Sequence, residues 1–243
     1  MKTRLALLLT LFAAPLFAAA PIRALLITGG CCHDYDLQSK AYIEGSKKFA
    51  AIAWTVVNEG GKGTAAQIPF YENPDWAKPF DVVVHNECFA NTTDETYIRK
   101  ITAAHKAGKP AVVIHCAMHT YRAATIDDWR EFLGVTSRRH DHQSEYPVTL
   151  LEPKHPVFAG FKGPWTTQKD ELYIIEKLWP TAKALATSKS EKDGSVQPVI
   201  WTNNYYGTRV FGTTYGHSNA TWGDPVFIEL ITRGLLWAAS RTK

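Results

Sequence analysis

Several signatures are missing from this 243-residue chain, and each absence removes a class of function. There is no GxGxxG and no Walker sequence, so nucleotide binding through a glycine-rich loop is not expected. The four cysteines form no CxxC pair and no zinc-ribbon spacing. Charge of one sign is scarce: 27 Lys and Arg against 23 Asp and Glu leave +4. No basic stripe is present. Lys47-Lys48 and Arg138-Arg139 are isolated pairs, so nucleic acid is not an expected partner. Beyond residue 20 no apolar run approaches the roughly 18 residues of a membrane span. Internal repeats and linkers rich in Pro, Gly or Ser are absent too. With 45% hydrophobic and 21% charged residues the composition is that of a globular domain, which excludes disorder, collagen and coiled coil.

The first twenty residues read as a secretory signal peptide. Lys2 and Arg4 make a positive start, Leu5 to Phe17 is an apolar run, and Ala18-Ala19-Ala20 offers small residues for cleavage. Pro21 hinders cleavage directly after Ala20, which moves the expected cut to Ala18 or Ala19. No cysteine follows the run closely, so a lipoprotein anchor is not indicated. The mature chain, residues 21–243, is expected to be one domain, periplasmic or secreted, and free of the membrane. Removing the leader takes away two positive charges and leaves +2. In an exported chain a single disulfide within the set Cys31, Cys32, Cys88 and Cys116 is plausible, although chain neighbours such as Cys31 and Cys32 rarely pair with each other.

Short apolar runs at Ile22–Thr28, Trp54–Val57, Phe80–Val84 and Ala111–Ile114 alternate with helical patterns at Gln38–Ala51 and Thr92–Ala107. Continuous apolar strands separated by helices predict a parallel sheet buried on both faces. The second half is more mixed. Tyr146–Leu151, Leu172–Ile175 and Ala184–Ala186 read as strands of an antiparallel extension. Pro198–Trp201 and Arg209–Thr213 flank a turn and read as a hairpin. Asp224-Pro225 starts a C-terminal helix, with Asp as cap and Pro in the first turn.

In parallel α/β sheets ligands bind at the carboxyl ends of the strands. Four of the nine histidines (His33, His85, His115 and His217) and all four cysteines follow such ends here, and His119 lies one helical turn beyond His115. That convergence favours a shared site over separate structural roles. His115 and His119, four apart, share a face if the chain turns helical there. With His33 and His217 they make a candidate set for a divalent metal. His140 and His142 would lie on one side of an extended segment, among charged residues that also suit a solvated loop. Asp170-Glu171 precedes a strand and could cap a turn or hold a sugar hydroxyl.

His33-Asp34, His115 after a buried strand, Asp170-Glu171-Leu172-Tyr173, Pro198-Val199-Ile200-Trp201, the run from Gly207 and Arg209-Val210-Phe211 to Gly216-His217, and Arg233-Gly234 to Trp237-Ala238 together resemble the ThuA-like (trehalose utilisation) family over residues 22–239. The resemblance implies an α/β fold similar to class I glutamine amidotransferases: a flavodoxin-like three-layer sandwich, its central sheet mostly parallel, with antiparallel additions in the second half. It also implies a role in sugar metabolism, including disaccharide use through 3-keto sugars. The amidotransferase chemistry is not implied. His115 occupies the slot of the nucleophilic cysteine, His217 matches the base, and Asn219 stands where the acid would be.

A 3-keto sugar carries acidic C–H bonds beside its carbonyl, and moving them needs a base of near-neutral pKa and an electrophile for the carbonyl oxygen. His33, Asp34, His115 and His217 are the candidate catalytic residues. Tyr121, Trp201 and Trp222 are candidates to pack on the sugar ring, and Arg122, Asp170 and Arg209 to bond its hydroxyls. The expected activity is isomerisation, hydration or cleavage of a small saccharide. The competing classes are a Cys-dependent hydrolase or amidase using Cys116 or Cys32, and a non-catalytic sugar-binding accessory protein.

Overall fold

The computed structural model describes residues 20–240, so all but the last residue of the expected leader lies outside the described residues. The chain runs β1 (Ile22–Gly30), α1 (Tyr35–Ser46), β2 (Ile52–Asn58), β3 (Val82–Cys88), α2 (Glu95–Lys106), β4 (Ala111–Ile114), α3 (Asp128–Leu133), β5 (Val135–Ser144), β6 (Pro147–Leu150), β7 (Trp165–Thr166), β8 (Asp170–Leu178), β9 (Ala182–Lys189), β10 (Val196–Tyr205), β11 (Thr208–Thr213), α4 (Asn219–Gly223) and α5 (Pro225–Ala238). Helix starts follow the capping chemistry of their sequences. Asp34, Asp94 and Asp224 each accept from a backbone N–H of the first turn, at Leu37, Tyr97 and Val226.

Nine strands form one sheet in the order β2-β1-β3-β4-β11-β10-β9-β6-β7. The first five are mutually parallel and the rest antiparallel. The parallel part is the doubly wound order 2-1-3-4-5, with β11 in fifth place. Successive side chains alternate between the faces, as a strand requires. Ala24, Leu26, Val82, Val84, Val112, Ile114 and Phe211 pack with Tyr42, Trp222 and Phe227 from α1, α4 and α5. Leu25, Ile27, Val83, Ala111, Val113 and Val210 pack with Tyr97, Ile98, Trp129 and Phe132 from α2 and α3. The three-layer sandwich expected from the sequence is therefore present.

One expected element sits elsewhere. β8 does not extend the main sheet; it pairs with β5 in a separate antiparallel ribbon. No described helix is long and apolar enough to cross a membrane.

Candidate active site

Register brings four strand ends to one edge. Gly30 at the end of β1 lies beside Cys88 at the end of β3, and Ile114 at the end of β4 lies beside Thr213 at the end of β11. The crevice between β1 and β3 is the point where the strand order reverses, where ligands of such sheets bind. Backbone approaches are close here. A Cβ on Gly30, whose φ is +98°, would stand 2.2 Å from the carbonyl oxygen of Cys88, so only glycine fits. Gly216 (φ +134°) likewise brings the turn after β11 against His115, with a virtual Cβ 3.1 Å from the His115 Cβ.

Three imidazoles from three of these loops meet. His33 Nε2 lies 3.2 Å from His217 Nδ1, and the His33 and His115 rings are edge to face at 4.9 Å. His115 has the uncommon φ of +45°, the sharp turn expected of a residue in the nucleophile slot. Its Nδ1 donates to the Thr214 carbonyl at 2.7 Å, so its Nε2 holds a lone pair that accepts from the Tyr173 hydroxyl at 3.3 Å. Burial, then the nearby His33, lower the His115 pKa well below the usual value, and His33 is brought down to about 4 by burial and His217. Both are neutral at pH 7. His217 goes the other way, raised by its bond to Glu171 against the cost of burial.

The carboxylate that binds the group together is Glu171. Its oxygens lie 3.4 Å from His217 Nδ1 and 3.7 Å from both His115 Nε2 and His140 Nε2. Burial pushes its pKa up, but His217, His140 and Gln143 outweigh that and hold it below the ordinary value. Glu171 and Tyr173 come from β8, His140 and Gln143 from β5, so the ribbon walls the site that the sheet floors. The resulting cavity, about 260 Å³, is lined by His33, His217, Glu171, Tyr173, His119 and Arg122, and by all four cysteines.

The structure separates the sequence candidates. His33, His115 and His217 come together. Asp34 does not join them; it caps α1. His119 lines the cavity but stacks on Tyr173 at 3.9 Å and bonds Ser137, so it is not part of the imidazole cluster. Arg122 lines the cavity and donates to the Arg138 carbonyl. Asp170 faces away from the cavity, accepting from the backbone N–H of Gly216 (3.1 Å) and His217 (3.2 Å) and from the Thr221 hydroxyl (2.5 Å). Burial raises its pKa to about 6 despite those bonds. It fixes the His217 turn instead of holding a sugar hydroxyl.

The aromatic candidates are core residues. Trp201 donates to the Leu133 carbonyl and covers Gly212, Trp222 donates to the Gly216 carbonyl, and Tyr121 packs on Tyr97 and Trp129. Arg209 lies at the start of β11, the opposite edge of the sheet, over the Trp237 ring. His85 is also displaced from the site: β3 continues three residues past it, and its ring bonds Glu87 and His105 in the core.

All four cysteines are paired, Cys31 with Cys32 and Cys88 with Cys116, so the neighbours do bond and there are two bridges where at most one was expected. The Cys31 and Cys88 sulfurs approach to 3.7 Å. With Cys32 and Cys116 both bridged, neither offers the thiolate that a Cys-dependent hydrolase needs.

The main omissions of the sequence reading are Glu171 as the central acid and Tyr173 beside it. Period 2 puts the two on one strand face, but nothing local says that this face meets the histidines. Neighbours on a strand face opposite ways, so only one of Asp170 and Glu171 can share a face with Tyr173.

A doubly wound sheet whose His115 turn replaces the nucleophile elbow defines a class I glutamine amidotransferase-like fold without the thiol chemistry of that class. The chain belongs to the ThuA family, described as trehalose utilisation, whose model matches residues 32–238. Among solved structures it is similar to a ThuA-like protein from Parabacteroides merdae, with a TM-score of 0.73 and 23% identity over 92% of this chain and 91% of that one. A cytoplasmic protein of Salmonella typhimurium has a TM-score of 0.60 at 14% identity, over 88% of this chain and 98% of that one. Part of a β-galactosidase from Rahnella is similar too, with a TM-score of 0.54 and 14% identity over 87% of this chain but 31% of the enzyme. The comparison with curated proteins found no match.

Proposed function

We propose that this protein is an exported enzyme acting on a carbonyl-bearing saccharide of the 3-keto type, by moving the proton beside the carbonyl. The observation that carries this reading is the Glu171 carboxylate set among His217, His115 and His140 at the strand-end cavity. The C–H bond next to the carbonyl breaks, and its electron pair forms a C=C bond as the carbonyl π electrons move to oxygen. Glu171 takes the proton, and the imidazoles around it can pass it on. Arg122 lines the same cavity and offers a donor to the oxyanion. Returning the proton to the former carbonyl carbon, as the adjacent hydroxyl gives up its proton and the old carbonyl oxygen gains one, completes an isomerisation; expelling a substituent one carbon further, its oxygen protonated by an imidazole, completes a cleavage. The family's link to trehalose supports a sugar as substrate. The cavity is small, about 260 Å³, which favours a single ring at the reacting end over a whole disaccharide enclosed in it.

Incubation with a panel of 3-keto glycosides in D₂O, read by NMR, tests the reading. Wild-type protein should exchange or consume the proton beside the carbonyl, and Glu171→Gln should do so about 10²–10⁴ times more slowly with its fold intact. Clean sugar binding without turnover would favour a non-catalytic accessory protein. The export half of the proposal is supported by the two disulfides, which persist in oxidising compartments. A mature N-terminus between Ala19 and Pro21 in an extracytoplasmic fraction checks it; full-length protein in the cytosol would sink it.

A further inference from the structure

We infer that His33, His115 and His217, with Glu171 beside them, form a binding site for a divalent first-row transition metal of the zinc type. The argument begins with protons. The Thr214 carbonyl can only accept, so His115 carries its hydrogen on Nδ1 and keeps a lone pair on Nε2. The Tyr35 hydroxyl donates to the Cys31 carbonyl at 3.0 Å and faces His33 Nδ1 at 3.2 Å. Its own hydrogen is committed, so His33 Nδ1 is the donor and His33 Nε2 keeps the lone pair. Fixing one ring nitrogen by a hydrogen bond while the other is left free is the outer-shell arrangement of metal-binding histidines.

His217 completes the set. Its Nε2 lies 2.8 Å from the Gln143 amide nitrogen; metal binding through Nδ1 needs that amide turned over, so that its oxygen accepts from an Nε2–H. Nδ1 then faces inward, 3.2 Å from the His33 lone pair and 3.4 Å from Glu171. Two lone pairs at that distance repel unless a cation lies between them. A proton on His217 Nδ1 is one such cation, and a metal is the other. Metal–nitrogen bonds of about 2 Å in a tetrahedral shell put ligand nitrogens about 3.3 Å apart, which matches the His33–His217 separation. One ligand nitrogen from each of the three histidines lies within 4.8 Å of the others. The ligands sit on the ends of β-strands or on the tight turns that follow them, held by Gly216 packing and by Asp170, so little order has to be gained on binding. The metal would take the His115 lone pair from the Tyr173 hydroxyl, and Glu171 would remain as fourth ligand or as the adjacent base. The sequence candidate His119 is outside the set because it is stacked on Tyr173.

Three neutral imidazoles and a carboxylate suit zinc, iron, nickel or copper better than magnesium or calcium. Such an ion supplies a Lewis acid for a carbonyl oxygen. That role rests on the keto-sugar reading, whereas the site itself does not.

Cobalt(II) titration of the purified protein, disulfides intact, at near-neutral pH tests the site without any substrate. One saturating equivalent with the visible bands of a four- or five-coordinate ion is expected. Tyr35→Phe should weaken binding about 10–100-fold, and His33→Asn or His217→Asn should abolish it while the circular dichroism spectrum is retained. No saturable binding, or binding unchanged in both histidine variants, would overturn the inference. So would binding that needs prior reduction, because His33 with Cys88 and Cys116 is a second set within ligand distance. Stoichiometric cobalt in a protein that turns over no keto sugar would leave the site standing and remove the proposed function. Turnover without metal binding would do the reverse.

Discussion

His115→Asn is expected to lose turnover by about 10²–10⁴ while melting within a few degrees of the wild type. His115 is the most buried of the three imidazoles and is the one at positive φ. Asparagine tolerates that backbone region better than most residues, and its amide can still donate to the Thr214 carbonyl. The substitution removes the Nε2 lone pair and the proton-carrying ring and leaves the turn in place. The rival outcome is distinct. If His115 merely tethers the β4 turn, the variant should lose about 1–3 kcal/mol of stability and keep a near-wild-type rate. A thermal melt and a rate on the same preparation decide between them.

The second large effect is expected at Asp170, a positioning residue. In Asp170→Asn one accepting oxygen becomes an N–H donor, facing the donors of Gly216, His217 and Thr221. The carboxylate is completely buried, so the mismatched donors have no water to turn to. A loss of about 2–3 kcal/mol is expected, which for a domain of this size is roughly 5–10 °C in Tm. Turnover should fall as well, even at a temperature where the variant is fully folded, because the His217 turn loses its anchor. A stable variant with unchanged rate would show that His217 needs no such support.

Much of the fold was legible because its parallel half is written in short apolar runs. Ala111–Ile114 was placed to the residue, and Asp224-Pro225 marked the start of α5 through cap chemistry that depends only on neighbouring residues. The apolar pattern starts α1 only at Gln38, whereas Asp34 caps the helix and Tyr35 begins it. The ribbon was half hidden. β5 reads Val-Thr-Ser-Arg-Arg-His-Asp-His-Gln-Ser, with its middle exposed, so no buried face imposes an apolar alternation on it. The strand-end rule found the three imidazoles because loop position follows directly from strand position. It says nothing of depth, so Trp201, Trp222 and Tyr121 qualify as pocket aromatics by sequence although all three are buried in the core. Arg209 misses the site for a simpler reason: it stands near the start of its strand, and the site lies where strands close. Glu171 escaped because its position relative to the histidines is set by long-range packing of a ribbon onto the sheet edge.

That ribbon divides the site into two parts with different obligations. The imidazoles of His33, His115 and His217 hang from strand ends whose registers are locked by the nine-stranded sheet and by buried cores on both faces. Moving any of them disturbs the architecture. Glu171, Tyr173, His140 and Gln143 belong to two strands that pair only with each other, so their positions are set by how the ribbon packs on the sheet, through Tyr173 buried in one core with Val83, Val113 and Trp201. The scaffold thus resembles a fixed anvil under a separate die: the sheet sets the three imidazoles, and the ribbon delivers the carboxylate that joins them.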